Sequence, residues 1–221
     1  MYQFDFGVVL ARWPELAYGA LGTMGLALGA SVIALAIGVL GVLARTSRFV
    51  LLRQATVAFV EIIRNTPLLV QIFFIFFALP QFGLRLSPTL TALIGLSLNG
   101  GAYAIEIIRG GVESIPRGQI EAGFALGLHR LDVFRMIVLR PALRSIYPAL
   151  TSQFVMLTLA TSICSAISAY ELTSAAQRID SDTFRSFEVY FTITGIYLVI
   201  SWLVMVTFTV IGRIAFRYPV K

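Results

Sequence analysis

Five long stretches of this chain are almost free of charged residues, and polar segments separate them. The first covers residues 21–44 and is rich in Gly, Ala, Leu and Val. At ~1.5 Å per residue, a helix of that length is about 36 Å long, enough to cross a bilayer with some tilt. Its Gly22, Gly25, Gly29, Gly38 and Gly41 favour close helix contact. The second stretch, 54–79, ends at Pro80, and the third, 89–108, follows the turn-like Leu86-Ser87-Pro88. The fourth and fifth cover 146–169 and 189–214. The pattern predicts an all-α integral membrane protein with about five transmembrane helices.

One polar segment differs from the rest. Residues 110–145 are long and arginine-rich, and in so apolar a chain they must lie in water on one side of the membrane. Within them Ser114 is the expected N-cap of a short helix over 115–126, Pro116 suits its first turn, and Gly127 suits a left-handed C-terminal cap. Ile120, Phe124 and Leu128 would form an apolar edge able to enter a groove on a partner. Arg117 and Glu121, four residues apart, can pair on one face. Asp132 is the expected cap of a second short helix leading to Arg140-Pro141.

Composition supports the bilayer. Only 13% of the 221 residues are charged, 58% are hydrophobic, and the mean hydropathy is +0.87. A soluble domain carries about 25% charged residues. The pI near 9.9 does not indicate nucleic acid, because the basic residues are dispersed over short connections. They are also lopsided. Arg45, Arg48, Arg53, Arg109, Arg117, Arg130, Arg135, Arg140, Arg144, Arg213, Arg217 and Lys221 fall on one side, against Arg12, Arg85, Arg178 and Arg185 on the other. The positive-inside rule makes the first side cytoplasmic. Residues 1–20 are then an extracytoplasmic N-terminal segment, 21–214 the membrane domain, and 215–221 a cytoplasmic tail. The opening residues lack the positive region of a cleavable signal peptide.

Several chemistries are excluded. A phosphate-binding loop needs a lysine after its glycines, and the only lysine is Lys221. One histidine, the solvated His129, and one cysteine, Cys164, supply neither a metal cluster nor a Cys–His pair. Polar residues inside the spans are the remaining candidates, since bilayer burial is costly. Glu61 and Arg64 lie one turn apart before Asn65-Thr66-Pro67, which should kink the second span; they are either a pathway element or a self-satisfied ion pair that fixes packing. Thr158, Thr161, Ser165 and Ser168, with Ser162 adjacent, make a hydroxyl stripe that either lines a hydrated path or packs helices. Asn99, before Gly100-Gly101, marks a hinge or a close contact, and Glu106 near Arg109 suits local pairing.

The extended motifs carry a resemblance. Ala102-Tyr103, Glu106, Arg109-Gly110-Gly111, Ser114-Ile115-Pro116-Arg117-Gly118-Gln119, Glu121-Ala122-Gly123 and Ala125-Leu126-Gly127-Leu128 resemble the polar amino acid branch of ABC importer permeases. So do Glu61-Ile62-Ile63-Arg64-Asn65-Thr66-Pro67-Leu68-Leu69-Val70-Gln71, Ala142-Leu143-Arg144 and Glu171-Leu172. The resemblance covers nearly the whole chain and implies the type I importer permease fold. It makes 110–145 the coupling loop, with Arg117, Glu121, Ala122, Gly123, Phe124, Gly127 and Leu128 facing a separate ATPase that binds ATP and magnesium. This chain would then bind no cofactor and catalyse nothing. It would pair with a second permease subunit in the lipid of the bacterial inner membrane and receive polar amino acids from an extracytoplasmic binding protein.

Glu61, Arg64, Thr66, Asn99, Thr158, Thr161, Ser162 and Ser165 are the candidates for the substrate pathway. Three departures stand out. Gly123 replaces the family's second alanine, the proline of Leu139-Arg140-Pro141 is displaced by one residue, and Leu159-Ala160 replaces a Lys-Asp pair before Thr161-Ser162. The last removes any substrate role carried by that pair. A gradient-driven transporter or channel is the alternative, but it gives no reason for the coupling-type loop.

Overall fold

The computed structural model describes residues 4–216, and among them every regular element is helical. Short α1 (Gly7–Leu10) precedes α2 (Trp13–Arg45), α3 (Val50–Arg64) and α4 (Leu68–Ala78). These are followed by α5 (Pro88–Glu113), α6 (Arg117–Ala125), α7 (Arg130–Asp132), α8 (Arg140–Ala160), α9 (Leu172–Thr183) and α10 (Ser186–Ala215). Residues 217–221, including Arg217 and Lys221 of the expected tail, lie outside the described residues.

The chain folds around α2 and α5. Gly29 of α2 meets Leu93 of α5, Ala34 meets Gly100, Ile37 meets Gly101, Gly38 meets Ala104 and Gly41 meets Ile105. Both numbers rise together, so the two helices are parallel. The contact is close because small residues alternate between them: a Cβ on Gly38 would lie 2.7 Å from Ala104 Cβ, and one on Gly101 would lie 2.6 Å from Ile37 Cγ2. Parallel packing has a topological consequence. The chain leaves α2 at one face of the membrane and must enter α5 at the other, so residues 46–87 make one complete crossing.

That crossing is not the single kinked helix expected over 54–79. It is α3 and α4 with their axes bent by 108°. Pro67 has no N–H to continue α3, so the helix stops at Arg64 and leaves its last carbonyls unpaired. Four other helical runs are long and apolar enough to cross a membrane: Trp13–Arg45, Pro88–Glu113, Arg130–Ile167 and Ser186–Ala215. With the broken pair, the crossings number five.

The remaining helices alternate in direction. Gly100 and Gly111 of α5 meet Leu157 and Ile146 of α8, so those two are antiparallel. The Tyr147 hydroxyl of α8 donates to the Phe208 carbonyl of α10 at 2.6 Å, while the tilted rings of Phe154 and Phe208 meet at 5.1 Å between centres. Leu26, Ala30, Ile72, Leu96, Leu157 and Cys164 close the core between α2, α4, α5, α8 and the 3₁₀ turn Thr161–Ile167 that follows α8.

Three further differences from the sequence reading have physical causes. Helix α2 begins at Trp13 rather than 21, because Pro14 is tolerated in a first turn. The second short helix expected at Asp132 and the fourth span are one run from Arg130 to Ile167. Its cap is His129, whose Nδ1 accepts from Leu131 N–H at 3.4 Å, not Asp132. Residues Val133–Leu139 widen into a π-helix just before Pro141, so the proline's missing N–H and its ring are absorbed without a break. The third difference is α9, which has too little apolar length to be read as a span. It is fixed by Glu171, which is fully buried and accepts from Thr173 N–H at 2.9 Å, Ser174 N–H at 2.6 Å and the Tyr197 hydroxyl at 2.8 Å. Thr23 of α2 accepts the neighbouring Leu172 N–H at 3.2 Å, which ties α9 to the end of α2 opposite Arg45.

Two substitutions test this packing by thermal unfolding of the purified protein in detergent. Gly111→Val drives a side chain into Ile146 and is expected to cost roughly 1–3 kcal/mol and lower the midpoint. Glu171→Ala leaves two N–H groups and a hydroxyl without their acceptor and is expected to cost about 2–5 kcal/mol. An unchanged midpoint in either variant would contradict the contact it removes.

Candidate functional site

Two polar regions lie at the end of the bundle that carries Arg45, Arg109 and Arg144. The first is α6. Ser114, the expected N-cap, instead ends α5 by donating to the Gly111 carbonyl at 2.8 Å, and Pro116 starts α6 in extended geometry. The other end matches expectation. Gly127 is left-handed at φ 76°, Leu128 N–H donates to the Gly123 carbonyl at 3.2 Å, and Gly127 N–H donates to the Phe124 carbonyl at 3.0 Å. This paired closure defines where the helix stops.

Gly123 accounts for one departure in the sequence. It is buried, and a Cβ there would lie 2.5 Å from Ile137 Cδ1 and 3.2 Å from Val133 Cγ2. The missing methyl group therefore seats α6 directly on the π-helical segment. Ile120 packs near Ile115, Val138 and Ala142 on the inner side. Arg117, Glu121, Ala122 and Phe124 are exposed, while Leu128 is half-buried. The apolar edge expected from Ile120, Phe124 and Leu128 is thus divided between the two sides. No Arg117–Glu121 ion pair forms among the described residues, so both charges project from the outer face. Beside them Leu126 is 81% exposed and Leu131 71%, an apolar surface next to the exposed charges.

The second region surrounds the break between α3 and α4. Three of the last carbonyls of α3 receive side-chain donors: Asn65 Nδ2 to Glu61 O at 2.8 Å, Thr66 Oγ1 to Ile62 O at 2.8 Å, and Gln71 Nε2 to Ile63 O at 2.8 Å. Gln71 also bonds Thr66, and its Oε1 accepts from Asn99 Nδ2 of α5 at 3.2 Å. Asn99 therefore fixes the break to α5, which gives it a positioning role where the sequence left hinge and packing open. Thr66 does the same within the break.

Glu61 and Arg64 do not pair with each other. Arg64 lies over the Tyr103 ring at 5.3 Å, with Nη1 3.9 Å from Glu106. Glu106 is already held by Arg45 of α2 and by Arg109 at 2.7 Å, and Arg109 also reaches Glu113 at 2.5 Å. The Glu61 carboxylate has no bonding partner among the described residues. Arg45, Glu61, Arg64, Asn65, Tyr103 and Glu106 line a cavity of about 290 Å³. Sequence reasoning gave Glu106 only local pairing, and its cross-helix partner Arg45 could not be seen without the parallel α2–α5 contact.

The hydroxyl stripe is distributed rather than continuous. Thr158 and Thr161 are buried and donate to the Phe154 and Thr158 carbonyls. Ser162 and Ser165 donate to the Leu159 and Ser162 carbonyls and border different cavities. Ser162 lies in an open, mainly apolar groove with Leu159, Tyr197, Leu198 and Trp202, whereas Ser165 faces a polar pocket on α9. These hydroxyls mainly satisfy their own helix, and the helix changes to 3₁₀ geometry at Thr161, which turns their faces apart.

Comparison with known proteins gives this geometry a context. The chain is similar to the glutamine transport system permease protein GlnP of Escherichia coli (strain K12), at 37% identity over 201 residues, covering 90% of this chain and 92% of that protein. It is equally similar, 37% over 211 residues, to the L-cystine transport system permease protein TcyB of Bacillus subtilis (strain 168), with 95% and 90% covered. The structure of an amino acid ABC transporter with histidines superposes with a TM-score of 0.90 at 31% identity, covering 96% of this chain and 99% of that one. Residues 37–217 match the family described as binding-protein-dependent transport system inner membrane component. With the five-crossing helical architecture and the exposed α6 between α5 and α8, the chain belongs to that family of multi-pass ABC importer permease subunits.

Proposed function

We propose that this chain carries polar amino acids inward, and that α6 is where a separate ATPase subunit drives it. The observation that carries the reading is the seating of α6. It is closed at its end by Gly127, held on the π-helical segment through Gly123, and presents Arg117, Glu121 and Phe124 outward. A rigid attachment beneath an exposed mixed-charge face suits the transmission of force from a partner into α5 and α8, the two spans that flank it. ATP and magnesium would be held by that partner, since this chain lacks the lysine of a phosphate loop. The names of the relatives support an amino acid as cargo.

The arginine asymmetry supports a cytoplasmic α6, with the N-terminus outside and the C-terminus inside. A second permease subunit would complete the channel, and an extracytoplasmic binding protein would deliver the solute. Alternating access follows if the ATPases, on closing, move α6 and tilt α5 and α8 about the α2 contact. The cavity of Glu61, Arg64 and Asn65 would then lie toward the cytoplasmic exit, where exposed charge and a satisfied helix break permit water to enter. The gradient-driven alternative lacks any role for an exposed α6 and is not favoured by the relatives.

Glu121→Ala is expected to leave membrane insertion and complex assembly intact while lowering ATP-dependent uptake in vesicles about tenfold, within the usual range of coupling between sites. Uptake and ATPase stimulation at the parent level would remove Glu121 from the coupling surface. For orientation, a membrane-impermeant thiol reagent applied to right-side-out cells should label a cysteine at position 85 but not one at 121. The reverse pattern would invert the topology.

A further inference from the structure

The end of the bundle opposite α6 carries a second charged pocket, on α9. Arg178 and Asp182 are four residues apart on this helix, a spacing that ordinarily yields an ion pair. Asp182 is diverted, however: its Oδ2 accepts from Arg12 Nη1 at 2.5 Å, and Arg12 also grips Glu15 at 2.6 Å. Glu15 first, and Asp182 second, hold that guanidinium charged and push its pKa above the ordinary arginine value. Arg178 is left without a carboxylate among the described residues, resting over the Tyr170 ring at 5.2 Å. It borders an open cleft of about 290 Å³ lined by Ser165, Ser168, Ser174, Gln177 and Asp182. Ser174 is only 5% exposed, Glu171, which caps α9, is fully buried and tied to α10, and the neighbouring Leu172 N–H is tied to Thr23 of α2, so the wall is well held.

These groups form a set complementary to a zwitterion. An unpaired guanidinium stacked on an aromatic ring suits a carboxylate, which it can meet with two parallel N–H donors. The free Oδ1 of Asp182 and the serine oxygens suit an ammonium group. The cavity has room for a small solute and is too polar to accept an acyl chain.

We propose that this α9 pocket is a receiving site for the amino acid at the extracytoplasmic mouth, with Arg178 binding the α-carboxylate and Asp182 and the serine hydroxyls binding the α-ammonium. The proposal rests on the importer reading above. It implies recognition of the backbone groups common to all α-amino acids, leaving side-chain selection to other parts of the transporter.

The test uses the complete transporter with its ATPase and binding protein in vesicles. Ser181→Cys places a nearly isosteric thiol at the pocket wall, while Cys164 is fully buried and gives little background. A mixture of the standard L-amino acids, cysteine omitted, should slow maleimide labelling of this thiol severalfold. The corresponding amino acid amides, which lack the carboxylate, should not. Adding Arg178→Gln should abolish the protection. Normal uptake without protection, or protection that survives Arg178→Gln, overturns the proposal. So does an Arg178→Gln variant that retains protection but needs more binding protein for half-maximal uptake, because Arg178 is then a docking residue. Absence of ATP-driven uptake in the transporter with Arg178 intact strikes the importer reading instead.

Discussion

Where α2 lies against α5, small residues on each helix meet larger ones on the other: Gly38 against Ala104, Gly41 against Ile105, and Gly101 against Ile37. In lipid there is no hydrophobic force to press two apolar helices together, so close dispersion contact between small residues must hold them. This contact sets the parallel direction of α2 and α5. From that direction it follows that α3 and α4 together make one crossing, that α6 emerges at the same face as the end of α2, and that Arg45 stands beside Glu106. The charged cavity near the α3–α4 break exists because the same contact brings those two residues within bonding reach.

A second constraint follows from the first. A crossing bent by 108° interrupts the helical ladder and leaves backbone groups at the break that need other partners. The chain answers with side chains drawn from the break itself: Asn65, Thr66 and Gln71 each donate to one of the last carbonyls of α3, and Asn99 fixes Gln71 to α5. The break is therefore held by its own side chains, and Arg64 and Glu61 face a cavity instead of each other.

The number of crossings, their approximate limits and the short helix α6 closed at Gly127 were legible in the sequence, because each depends on local apolar length or local turn chemistry. Gly127 and its paired closure are the clearest example. Features that depend on contact between distant helices were not legible. The buried Glu171 cap needs Tyr197 from α10, the adjoining Leu172 N–H needs Thr23 from α2, and Arg12 could be matched with Asp182 only once α9 was seen beside α2. The break at Asn65-Thr66-Pro67 was visible as a kink, but its angle depends on Asn99, 28 residues beyond Gln71. The π-helical turn before Pro141 could not be foreseen either, since a proline in mid-helix more often ends it. The hydroxyl stripe was read at constant α-helical pitch, and the change to 3₁₀ geometry at Thr161 divided it.

The central claim is that energy enters this permease from a nucleotide-hydrolysing partner at α6. It is tested most directly by measuring amino acid uptake into vesicles that hold the complete transporter and ATP, after ionophores have collapsed every ion gradient. Uptake should continue undiminished and stop when a non-hydrolysable ATP analogue replaces ATP. Uptake that disappears with the gradients, or that proceeds with the analogue, would contradict the account.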